Sequence, residues 1–214
     1  MTKRGVVLAF VVGFFLPGIT FAQDFSTAAS LGFEYYNAPS LTRYFAVTTG
    51  GVTPGTFMTS VQLAASAEVF VVDDWAVGLE YAYLTSQQTG NSIQIDYSYS
   101  LPTLLVHRVV AGENYYLRVG GGIGYHFSSL SQNIMAYGNT TDYSARGIGL
   151  KFDAALDTKL GENFYARVSA DARAEITGIL KTKDGLALTS PTDSREVNSN
   201  FSGVGLSFGL VYYF

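Results

Sequence analysis

The sequence predicts an all-β protein: a transmembrane antiparallel β-barrel of eight strands, with short turns on one rim and long loops on the other. Three observations lead there. Eight segments of about ten residues alternate apolar and polar side chains with period two, the strand repeat. The charged residues inside those segments fall on one parity and leave the other apolar. The connections between segments alternate short and long, as in barrels that cross a membrane. Composition agrees, since the chain is 48% hydrophobic and 14% charged, with 15 Tyr, 15 Phe and 23 Gly. Soluble domains average about 25% charged residues. No run of about 20 apolar residues follows residue 22, so a membrane helix is excluded.

The first element is not part of the barrel. Lys3 and Arg4 precede an apolar run from Val6 to Leu16, Pro17-Gly18 breaks it, and Thr20-Phe21-Ala22 places small residues at −3 and −1. This is the three-part pattern of an export signal, and eleven apolar residues are too few to span about 30 Å of hydrocarbon. Residues 1–22 are expected to be a signal peptide cleaved after Ala22, and residues 23–214 one outer-membrane barrel domain, with 23–27 outside the strands.

Segment one, 28–37, sets Leu31, Phe33 and Tyr35 outward against Ser30, Gly32, Glu34 and Tyr36. Segment two, 59–71, opposes Val61, Leu63, Ala65, Ala67, Val69 and Val71 to Gln62, Ser66 and Glu68. In segment three, 75–85, Trp75, Val77, Leu79, Tyr81 and Tyr83 face Gly78, Glu80 and Ala82. Segment four, 92–106, reads as Ile93, Ile95, Tyr97, Tyr99 and Leu101 outward, with Gln94, Asp96, Ser98 and Ser100 inward. Segment five, 115–127, turns Leu117, Val119, Ile123, Tyr125 and Phe127 out and Arg118, Gly120, Gly122, Gly124 and His126 in. Segment six, 147–160, opposes Ile148, Leu150, Phe152, Ala154 and Leu156 to Lys151, Asp153 and Asp157. Segment seven, 164–176, opposes Phe164, Ala166, Val168, Ala170, Ala172 and Ile176 to Arg167, Ser169, Asp171, Arg173 and Glu175. Segment eight, 202–214, opposes Val204, Leu206, Phe208, Leu210, Tyr212 and Phe214 to Gly203, Gly205, Ser207 and Gly209.

Residues 72–74, 111–114 and 161–163 form the tight turns, and 38–58, 86–91, 128–146 and 177–201 the other connections. An even strand count puts both mature termini on the short-turn, periplasmic side. Glu34, Glu68, Glu80, Asp96, Arg118, Lys151, Asp153, Asp157, Arg167, Asp171, Arg173 and Glu175 form the expected lumen charge network; Arg146, at a loop edge, alone takes the other parity. Exposing Arg or Lys to the bilayer midplane costs about 2–4 kcal/mol each, so a one-residue slip of segment seven is strongly disfavoured. Eight strands leave a lumen that side chains can fill. Lys151 and Asp153 lie at the depth of Asp171 and Arg173, and Asp157 faces Arg167 across a turn. A salt-bridged plug is therefore expected, with a narrow pore as the alternative. Tyr35, Trp75, Tyr83, Tyr125, Phe127, Phe164, Tyr212 and Phe214 sit near the ends of the outward rows, where interfacial girdles occur.

Several function classes drop out. There are 0 Cys and the net charge is −4 with no basic block, which excludes disulfide scaffolds, thiolate metal sites and nucleic-acid partners. The glycine run 120–124 is followed by no helix, so it is no phosphate loop, and no cofactor is expected. His107 and His126 are placed on opposite rims, His107 exposed, and make no metal site.

The last strand, Ser207-Phe208-Gly209-Leu210-Val211-Tyr212-Tyr213-Phe214, resembles the C-terminal assembly signal of bacterial outer-membrane proteins, filled by Ser207, Gly209, Tyr212 and Phe214. With the eight segments, the domain resembles the small outer-membrane barrel superfamily of the OmpA-transmembrane and OmpX type. That resemblance implies a cell outer-membrane location in a Gram-negative envelope, contact with outer-membrane lipid and lipopolysaccharide, and handling by periplasmic chaperones and the barrel-assembly machinery. His126-Phe127-Ser128 also resembles the His-x-Ser of outer-membrane lipid A deacylases, which would make His126 the base and Ser128 the nucleophile. Parity turns His126 inward and no carboxylate nearby in sequence orients it. The expected function is therefore non-enzymatic: a structural or surface-interaction role through loops such as 38–58, with Tyr44, Phe45 and Phe57, and 177–201. A small channel and a lipid A hydrolase are the alternatives.

Overall fold

The computed structural model describes residues 25–49, 58–72, 74–90, 93–135 and 138–214. Residues 1–22, expected to be a signal peptide, and Phe57 lie outside them. The alternating segments become eight strands: β1 (Phe25–Asn37), β2 (Met58–Val72), β3 (Trp75–Thr89), β4 (Ile93–Ala111), β5 (Tyr115–Ile134), β6 (Asn139–Lys159), β7 (Phe164–Thr177) and β8 (Phe201–Tyr213). Each pairs antiparallel with the next, and β8 returns to β1, closing the barrel. Closure leaves no sheet edge unpaired, which hydrocarbon requires. Residues 25–27 are not outside: Phe25, Ser26 and Thr27 pair with β2, because Phe25 continues the outward row and Ser26 the inward one. The two ends of the barrel chain meet, with Phe214 N–H donating to the Phe25 carbonyl at 2.9 Å and their rings 5.4 Å apart.

The outward rows of β1, β5, β6, β7 and β8 form an apolar belt of exposed residues, among them Phe33, Val119, Phe152, Val168 and Phe208. On an outer surface these side chains suit lipid and not water. At the turn rim, Phe164, Tyr212 and Phe214 stack edge-on at 5.0 and 4.7 Å.

Two expectations about the other rim need correction. Connections 86–91 and 128–146 are mostly strand, since β3 runs to Thr89 and β5–β6 continue paired as far as Ile134 and Asn139. Connection 38–58 contains a helix, α1 (Pro39–Thr49). Proline at the first helical position is preset for the helix φ and lacks only an N–H that would be orphaned there. Leu41, Tyr44 and Phe45 of α1 are buried, as are Leu180, Leu188 and Val197 of the segment after β7.

The larger correction concerns β4. Its row Ile95, Tyr97, Tyr99 and Leu101 faces the interior, each at most 2% exposed, and Asp96 faces out. The backbone register is continuous through this stretch. What changes is the surroundings. Below Leu101 the wall stands against lipid, and Leu104 and Val106 are exposed. Above it the wall stands against water, so the apolar row turns in and the polar row out. Tyr36, Leu84, Leu130 and Phe201 join the β4 row, α1 and the post-β7 segment in one apolar cluster. Each fully buried large side chain there contributes about 1.5–3 kcal/mol. The end opposite the tight turns is thus built like a soluble barrel with a capped core.

Candidate functional site: the charged lumen

Below the cap the interior is polar and organised in three layers. Nearest the turn rim, Asp157 is wholly buried and accepts from Arg118 Nε at 3.1 Å, Arg167 Nε at 2.6 Å and Nη2 at 2.8 Å, and the Tyr213 hydroxyl at 2.7 Å. Arg118 also donates to Glu68 at 2.8 Å, Ser26 Oγ at 3.1 Å and the Tyr213 oxygen at 2.9 Å. Its guanidinium lies 5.5 Å from the Phe70 and Tyr213 ring centres. Arginine suits this position because its planar fork meets several acceptors at once.

His107 joins this layer to the next. It is buried, with Nδ1 2.8 Å from Glu68 and Nε2 3.0 Å from Asp153. The exposed rim position read from the sequence is corrected: His107 lies on the inward row of β4, opposite Gly120, whose missing side chain leaves the ring its space.

In the middle layer Lys151 donates to Glu80 at 2.6 Å and lies 3.4 Å from Asp153. Arg173 donates to Asp171 at 2.8 Å and to Glu80 at 3.1 Å. A cavity of about 20 Å³ remains between Glu80, Lys151, Arg167 and Asp171, room for about one water. Glu34 is fully buried on β1, beside Gly205 and Asp171, and neither carboxylate oxygen has a hydrogen-bond partner among the described residues.

The upper layer contains His126. Glu175 approaches Nδ1 at 2.5 Å and the Thr103 hydroxyl lies 3.1 Å from Nε2. The imidazole is therefore oriented by a carboxylate after all, contrary to the sequence reading. Glu175 is 49 residues away and reaches His126 over Gly149, where a Cβ would meet both side chains. Ser128 is not its partner: Ser128 Oγ lies 2.7 Å from Ser199 Oγ, which Thr177 also meets at 2.7 Å. Hydroxyl, imidazole and carboxylate stand in the order a nucleophile, base and orienting acid would take. All three are buried under the cap, Tyr99 donating to the Ser199 carbonyl at 2.6 Å directly above.

Eleven of the residues expected in the lumen are placed there: Glu34, Glu68, Glu80, Arg118, Lys151, Asp153, Asp157, Arg167, Asp171, Arg173 and Glu175. Asp96 is not. It is exposed on the outside of the upper wall, accepting from Gln87 at 2.6 Å and Gln94 at 3.1 Å. Ser26, Thr103, His107 and Tyr213 enter the network unannounced by charge parity. Of the residues expected to form the C-terminal signal, Ser207 is inward and 2.6 Å from Ser169 Oγ, Gly209 pairs with Ser30 and Arg167, and Tyr212 and Phe214 lie on the outer face at the turn rim.

No protein-family model matches the chain, and no curated protein matches it. Solved structures do. The chain is similar to a major outer membrane protein from Thermus thermophilus, with 18% identity, a TM-score of 0.60, and 91% of this chain and 100% of that one covered. It is similar to Ail, the attachment invasion locus protein of Yersinia pestis, solved with the heparin analogue sucrose octasulfate, with 13% identity, a TM-score of 0.55, and 90% and 99% covered. Neisserial surface protein A matches at 11% identity with a TM-score of 0.52, covering 89% and 97%. At such identities the likeness is one of fold. The chain has the fold of the small outer-membrane β-barrels, and its apolar exterior is that of a barrel crossing a membrane.

Proposed function

We propose that this outer-membrane barrel is a closed scaffold that works at the cell surface through its extracellular cap, neither as a pore nor as a hydrolase. One observation carries the reading: an apolar cap seals a lumen already filled by ion pairs. A conducting path needs connected water, whereas the middle layer leaves a cavity of about 20 Å³. A hydrolase needs its nucleophile within reach of substrate, whereas Thr103, His126 and Glu175 are buried. The side of the cap facing the medium is polar. A cleft of about 400 Å³ between α1 and residues 190–200 is lined by Arg43, Asp193, Arg195 and Asn198. Arg43 lies 3.6 Å and Arg195 3.4 Å from Asp193. Such a surface suits a polar or charged partner, and the Ail structure holds a sulfated sugar.

Conductance in planar lipid bilayers tests the reading. The full barrel is expected to insert without unitary current steps. Stable ohmic steps from the purified protein would show a water path through the lumen and overturn the closed scaffold.

A further inference from the structure

Arg146 breaks the pattern that the outward rows otherwise keep through the belt. Going up the outward row of β6, Leu156, Phe152, Leu150 and Ile148 are exposed and apolar, and Arg146 is the first charge. Its partner across β5 is Phe127, whose ring meets Tyr125 at 5.4 Å. Aromatic rings in this position mark the boundary between hydrocarbon and headgroups.

On the other side of β6 the chain continues the pairing past β7. Gly178 N–H donates to the Arg146 carbonyl at 3.2 Å, and Ser144 and Lys181 exchange backbone hydrogen bonds of 2.8 and 2.9 Å. Residues paired in this way share a face, so Lys181 points outward with Ser144. Lys181 is then the diagonal neighbour of Arg146, about 7 Å away. Both line an open cleft of about 620 Å³ that also includes Phe127 and Ile179. Neither makes an ion pair among the described residues. Directly beneath, Ile148 and Ile176 face each other across β6 and β7, 54% and 74% exposed.

Two unpaired cations therefore stand over an apolar patch at the interface. Each part matches a part of one ligand class: anionic oxygens for the cations, acyl chains for the isoleucines. Arginine binds phosphate as a planar fork and lysine as a point charge.

We propose that Arg146 and Lys181 hold the phosphate of an acylated, phosphorylated lipid of the outer leaflet, with its chains lying over Ile148 and Ile176. The proposal rests on the outer-membrane placement above but not on whether the lumen conducts, so the bilayer recordings do not bear on it.

The test is native mass spectrometry of the barrel in non-ionic detergent, titrated with bis-phosphorylated lipid A, with its dephosphorylated form, and with inorganic phosphate. The phosphorylated lipid is expected to bind, and the double variant Arg146→Gln, Lys181→Gln to weaken it by about tenfold, since charge-assisted hydrogen bonds are lost. A second readout needs no variant. In the native protein the phosphorylated lipid should shield Lys181 from amine acetylation, and the dephosphorylated lipid should not. Equal binding by variant and native protein, equal binding of both lipids, or shielding of Lys181 by inorganic phosphate alone would each overturn the proposal.

Discussion

Replacing Asp157 with alanine should be the most damaging single change in the lumen. Its carboxylate takes four hydrogen bonds, two of them from Arg167 and one from Arg118. Arg118 retains Glu68 after the substitution. Arg167 loses the carboxylate it binds through both Nε and Nη2, and remains almost wholly buried. Removing one partner of a buried pair costs about 3–5 kcal/mol, mostly the desolvation of the charge left behind. With a urea slope of about 2 kcal/mol per molar, the unfolding midpoint falls by about 2 M. The assay is equilibrium urea unfolding of the barrel in lipid vesicles, followed by fluorescence of Trp75, the 1 tryptophan of the chain. The double variant Asp157→Asn, Arg167→Gln removes the stranded charge and should lose less than Asp157→Ala alone. A single variant whose midpoint stays within about 0.3 M of the native value at unchanged slope would refute the reasoning.

Two further outcomes are expected. Phe214→Ala should lower the amount of assembled barrel in the outer membrane, read by heat-modifiable gel mobility of membrane fractions, while barrel refolded in detergent keeps its strand signal; normal membrane levels would count against Phe214 as part of an assembly signal. Lipid A from cells making the native protein should carry the same acyl chains as lipid A from cells without it, and His126→Ala should change nothing; loss of a chain that depends on His126 or Ser128 would mean the protein is a hydrolase.

Period-two alternation made the barrel legible because each strand in the membrane has two different solvents, hydrocarbon outside and a polar lumen inside. It failed where that difference reverses. The row Ile95, Tyr97, Tyr99 and Leu101 looks lipid-facing if the rule is carried upward, and Asp96 then looks lumenal. The sequence does hold a signal of the change: on β4 the apolar parity switches between Leu101 and Leu104, and the continuous register means that no bulge causes it. The charge layers were partly legible, since residues across one turn, such as Asp157 and Arg167, share a depth. His126 and Glu175, or His107 and Glu68, meet across or around the lumen, 49 and 39 residues apart. Such meetings depend on barrel stagger, which local spacing does not carry. α1 was missed for a related reason. Its apolar residues are buried by a barrel mouth that exists only after closure, so 38–58 read as an exposed loop.

The reversal on β4 also acts as a waterline. Asp96 and Arg108 are both exposed at the two ends of the outward row, Arg108 lying 3.5 Å from Asp74 at the turn rim. From the reversal at Leu101 down to Arg108 are about seven residue steps, which at about 3.3 Å each and a tilt near 40° span about 18 Å of height. The molecule therefore has a draught: raised by one residue pair it lifts greasy wall into water and draws Arg108 toward the oil, and lowered by as much it draws Ser100 and Arg146 toward the oil. Its level and its upright are held from both ends at once, so the cap stands at one constant height above the membrane.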